Sequence, residues 1–182
     1  MKNETPPTHL DIKAFAHSAN TLIGHDPLSK YERLIQETKG LGADRKLNWA
    51  AQGELRIDEA GAEQVWLHLT VAVSLPLTCQ RCMGPVDVAV DVKRSFRFVA
   101  SEEAAEAQDE DAEEDVLALD PEFSLGDLIE DEVLMALPVV ARHDECPVEV
   151  KLEVVDSGFE AASNEKRNPF AVLAKLQGGK TS

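Results

Sequence analysis

The chain has 182 residues, 43% hydrophobic and 29% charged, with a formal net charge of −16, which suits one domain of ordinary size, or one domain with flexible arms, and is globular rather than disordered overall. That charge disfavours the coating of a phosphate backbone and favours basic partners. Three cysteines, a polar N-terminus and no apolar run near 20 residues argue against a disulfide framework, a signal peptide or a membrane helix, and predict a reducing cytoplasm.

Residues 1–20 read as a weakly patterned N-terminal arm. Asp26-Pro27 combines a good N-cap with a residue suited to the first helical position, so a helix is expected to open there. Leu28, Tyr31, Leu34 and Ile35 would share its buried face, with Gly40 as a stop. Glu54 to Asp58 alternates as a strand does, and the following DEAGAE reads as a turn. From Val65 to Leu77 the apolar residues hold odd positions without a break, and from Val86 to Val92, then at Phe96 and Phe98, they hold even ones. Period-two alternation of this length predicts two strands, each with one buried face. Pro76 cannot donate to a ladder and marks an edge position or strand end.

The turn of that hairpin is LTCQRCMGPV, with Cys79 and Cys82 two residues apart and Gly84 available for a positive φ. Ser101 to Asp115 then carries nine carboxylates and no Lys or Arg, more than half of the net charge, and reads as a mobile acidic loop or a lure for a basic partner. A short strand is expected at Val116 to Leu119. Ser124, with Asp127 three residues on, opens a helix whose stripe is Leu125, Leu128, Ile129, Val133, Ala136 and Leu137 before Pro138. Val148 to Val154 suggests a last strand. A polar linker follows, and then NPFAVLAKL, whose Phe170, Val172, Leu173 and Leu176 form a short apolar face. Such a face either docks on another molecule or closes the domain's own core. The expected fold is α+β: an antiparallel meander sheet with CxxC at a hairpin turn and helices on one face, spanning residues 21–156.

Zinc needs about four nitrogen or sulfur ligands, usually as two close pairs. Cys79 and Cys82 form one such pair, and His143 and Cys146, with the same spacing, could form the other. A thioredoxin-like pair would need the first thiolate at a helix N-terminus, whereas both flanks here read as strands. Unligated thiols in a turn are the third reading. Lys93 to Phe98 mixes basic and aromatic residues as single-strand RNA binders do, but its phenylalanines continue the core register. No P-loop, GxGxxG, GxSxG or HExxH motif is present, so nothing in the sequence asks for catalysis.

Taken together, LTCQRCMGPV, LGDLIEDEVLMALPVVARHDEC and NPFAVLAKL resemble the YceD family of large ribosomal RNA subunit accumulation proteins in motif order and spacing. The resemblance covers the chain from about Asp11 onward. It implies a non-enzymatic cytoplasmic factor needed for synthesis, processing or stability of large-subunit (23S) rRNA. The net charge of −16 fits a protein that holds a basic large-subunit ribosomal protein or a pre-large-subunit particle better than one that coats rRNA, with direct rRNA binding from a local patch or rRNA processing as alternatives. Some members carry a second cysteine pair after the helix-Pro motif; this chain has Cys146 there, with His143 as a possible substitute.

Overall fold

The computed structural model describes residues 6–110 and 112–149. The chain divides into two units, Met1–Cys146 and Pro147–Ser182, and every described helix and strand belongs to the first. Strands β1 (Thr21–Pro27), β2 (Lys46–Ile57), β3 (Glu63–Thr78) and β4 (Pro85–Val99) pair antiparallel in chain order, and β5 (Asp115–Ala118) adds beside β4. The β4–β5 pairing is parallel, with Phe96 opposite Asp115 and Phe98 opposite Leu117. The sheet is therefore mixed, which corrects the expectation of an antiparallel meander throughout.

The crossover that a parallel pair needs is supplied by the acidic segment, where helix α3 spans Glu102–Asp109. Its N-cap Ser101 accepts a hydrogen bond from the Ala104 N–H, and Glu102 and Glu103 occupy the first turn, where the helix dipole favours carboxylates. Arg97 of β4 donates to Gln108 at 2.8 Å and to Glu114 at 2.5 Å. Asp109 accepts from the Val116 N–H of β5 at 3.2 Å. Much of the segment read as a loop is thus a helix tied to the sheet edge.

Asp26 is the second correction. It closes β1 rather than capping a helix, and at 1% exposure it accepts from the indole of Trp49 at 2.7 Å and from Lys30 at 2.6 Å. The cap-plus-proline pattern suits a strand end equally well, because Pro27, which has no N–H to donate, stands at the end of an edge strand. A short 3-10 turn (Leu28–Lys30) and helix α2 (Glu32–Glu37) follow. The N-terminal region also holds helix α1 (Ile12–His17), capped by Asp11 and burying Ile12, Phe15 and Ala16.

The alternation in β3 and β4 places its apolar residues on one face, where Leu67, Leu69, Leu75 and Phe96 are sealed from solvent. Helix α4 (Leu125–Met135), with Ser124 as its N-cap, adds Leu125, Ile129 and Val133 to this core, while α1 and α2 add Phe15 and Leu34. Pro76 lies within β3 opposite Asp87, beyond Ala72, where the pairing with β2 stops. Its missing N–H therefore faces a flank without strand pairing, which the loop at Gly42 covers. Glu130 of α4 ties helix to helix: its carboxylate accepts from the Arg33 and Leu34 N–H groups at the start of α2 and from the Arg33 guanidinium at 2.8 Å. No helix among the described residues is long and apolar enough to cross a membrane. The strand expected at Val148 to Val154 lies almost wholly outside the described residues, and NPFAVLAKL lies outside them entirely.

Candidate metal centre

The antiparallel register carries β3 and β4 to Thr78 opposite Pro85, leaving residues 79–84 to reverse the chain. Cys79 donates its N–H to the Gly84 carbonyl, and its own carbonyl accepts from the Met83 N–H, both at 2.8 Å. The residue with positive φ is Met83 at 61°, which corrects the expectation that Gly84 takes that role. A Cβ at Gly84 would meet only the Cys82 sulfur at an ordinary 3.6 Å.

This turn is joined to the segment after α4. Gln80 donates its N–H to the Ala141 carbonyl at 2.8 Å, which aligns the two chains so that both pairs of candidate ligands converge. Cys79, Cys82, His143 and Cys146 place their ligand atoms within 4.8 Å of one another. Cys79 Sγ and Cys146 Sγ are 4.0 Å apart, and Cys82 Sγ and His143 Nδ1 are 3.5 Å apart. A tetrahedral zinc with bonds of about 2.3 Å to sulfur and about 2.0 Å to nitrogen requires edges of about 3.8 Å and about 3.5 Å. The observed spacings fit such an ion without rearrangement of the backbone.

The local electrostatics favour a thiolate at the deepest position. Burial pushes the Cys79 thiol up, but the N–H groups of Cys82, His143 and Arg81 and the His143 side chain outweigh it and hold it down to about 5. Burial, then the neighbouring Cys82 and Cys79, push the Cys146 thiol up to about 11. Crowded thiols resist joint ionisation, and a divalent cation in their midst would remove that conflict. Strands on both sides of the Cys79–Cys82 turn leave no helix N-terminus for a thioredoxin-like thiolate. All four positions would be filled by protein, a closed arrangement with no vacancy for chemistry.

The basic-aromatic stretch is committed elsewhere. Phe96 and Phe98 are buried, Arg97 is held by Glu114, and Arg94 contacts Asp115 and Glu132. The partners of these carboxylates lie in other elements, so no local spacing in the sequence points to them. Phe170, Val172, Leu173 and Leu176 fall outside the described residues.

Comparison with known proteins gives a consistent picture. The family profile described as "Large ribosomal RNA subunit accumulation protein YceD" matches residues 67–177. A Haemophilus influenzae protein named "Large ribosomal RNA subunit accumulation protein YceD" is 28% identical over 157 residues, covering 85% of this chain and 86% of that one. No solved structure matches the chain.

Proposed function

This chain belongs to the YceD family, and from that membership we propose that it supports the accumulation of large-subunit (23S) rRNA in the cytoplasm by binding rather than by turnover. The partner is a basic large-subunit ribosomal protein or a pre-large-subunit particle carrying one. Family membership is the observation that carries this reading. A net charge of −16 supports a basic protein partner over naked rRNA, as does the engagement of Arg94 and Arg97 by carboxylates. Zinc held by Cys79, Cys82, His143 and Cys146 has a structural part here, fastening the β3–β4 turn to the segment after α4.

Deletion of the gene should lower the ratio of large-subunit to small-subunit rRNA; an unchanged ratio under all growth conditions would sink the proposal. Affinity purification with and without nuclease identifies the mode: a basic protein retained after nuclease treatment supports this reading, and loss of all partners favours direct rRNA binding. In the same experiment, truncation after Arg167 tests whether Phe170, Val172, Leu173 and Leu176 serve as a docking element. Lost partner binding with unchanged stability supports docking, and unfolding refutes it.

A further inference from the structure

A groove between α4 and the β4–β5 edge plays no part in the metal centre. Its deeper section encloses about 470 Å³ over Phe96, Val116, Leu117 and Leu128, within the size range of clefts that hold ligands. A hollow of about 340 Å³ continues it past Arg94, Glu132 and Met135. The charge along the deeper section is unbalanced. Asp109, Asp115, Asp131 and Glu132 line it against Arg94, with the Arg33 guanidinium of α2 reaching Asp131 from outside the lining. Arg94 is shared, with Nη2 3.2 Å from Asp115 and Nε 3.3 Å from Glu132. The Glu132 side chain is only 5% exposed, and Arg94 is its sole ionic partner among the described residues. Burial pushes its carboxyl up against the pull of Arg94, and the charges of Asp115 and Asp131 add to the rise. Met135 stands at the rim, 66% exposed, with an unbranched thioether able to repack around a guest side chain.

We propose that this groove docks a basic segment of a partner protein in which arginines alternate with apolar residues. Guanidinium groups would meet Asp115, Asp131 and Glu132, and an apolar side chain would enter over Leu128 and Met135. Arginine fits better than lysine because its planar fork serves two carboxylate oxygens at once. Phosphate-bearing polymers are disfavoured by the same surplus of negative charge. The proposal rests on the reading that this protein holds a basic partner, and it locates the surface that does so.

The test is NMR titration of the isotopically labelled full-length protein with a short synthetic peptide of alternating Arg and Leu. Shifts should cluster at Arg94, Asp115, Leu128 and Met135. Affinity should fall by about tenfold in Asp115→Asn/Asp131→Asn and measurably in the uncharged Met135→Ser, whose exposed position spares the fold. Neutralising Glu102, Glu103 and Glu106 by Gln should change it less than about twofold, since these lie outside the groove. Equal losses from the two sets of neutralisations, or shifts confined to residues 102–109, would overturn the proposal. So would displacement of the peptide by a single-stranded RNA probe. Groove binding together with an unchanged rRNA ratio in the deletion strain would defeat only the assembly reading, so the two fail separately.

Discussion

Residue by residue, zinc binding at the candidate metal centre would depend on thiolate chemistry that serine cannot reproduce. Protein purified without a metal-affinity tag should carry about one zinc per chain, and Cys82→Ser should lose it, as read by elemental analysis. Metal-free protein that still folds cooperatively would refute this. On the opposite face of the sheet, His68 bridges Glu54 and Ser95 at 2.6 Å and 2.8 Å. The Arg56 hydrogen bond first, and that of His68 second, hold Glu54 down to about 2 from 4.5. A depressed carboxylate contributes stability above its unfolded pKa and loses it as pH falls through the folded one. Glu54→Gln should therefore melt below wild type at pH 7, with the gap closing between about 4.5 and about 2 in thermal scans taken across that range. The gap should be modest, because water screens a partly exposed pair. The two cysteines were legible in the sequence, and so was the spacing that His143 shares with them. The glutamate-histidine bridge was not, since cross-strand neighbours become neighbours only once register is set.

At the level of elements, alternation was the readable signal, because a strand's two faces are written every second residue. Helix α4 announced itself through the Ser124 cap and an apolar stripe. Helix α1 did not: its six residues give too few turns for periodicity to speak, and its packing is recorded elsewhere, at Gly53 of β2. A Cβ there would sit 2.7 Å from the Phe15 carbonyl oxygen and 2.9 Å from the Ala16 Cα. Gly53→Ala should therefore force α1 off the sheet and cost about 2 kcal/mol in chemical denaturation, the usual penalty for overpacking. A neutral result would mean that α1 contributes little to the fold. The acidic segment misled for the opposite reason. Nine carboxylates between Ser101 and Asp115 read as solvated chain, and only the Ser101 cap and the bonds from Arg97 and Val116 reveal a helix. The parallel placement of β5 follows from that helix, and no pattern within β5 encodes it.

For the molecule as a whole, the net charge sets how partners approach. Encounter with a basic protein should be steered at low ionic strength and fall by about tenfold or more in association rate between about 50 mM and about 500 mM salt, measurable by stopped flow. A salt-independent rate would place the attraction in apolar contact instead. The metal ligands have a different consequence, one of timing and chain topology. Cys82 and His143 are 61 positions apart, and between them lie β4, α3, β5 and α4. An ion held by both pairs makes this stretch a closed ring, and closing a ring of that size removes about 4 kcal/mol of freedom from the unfolded chain by the loop-entropy relation used for cross-links. During synthesis the first pair emerges well before the second, so with zinc as the ligand the hairpin would wait, half-liganded, until Cys146 had left the ribosome. Capture of the ion would then mark the moment at which this whole half of the domain has been made.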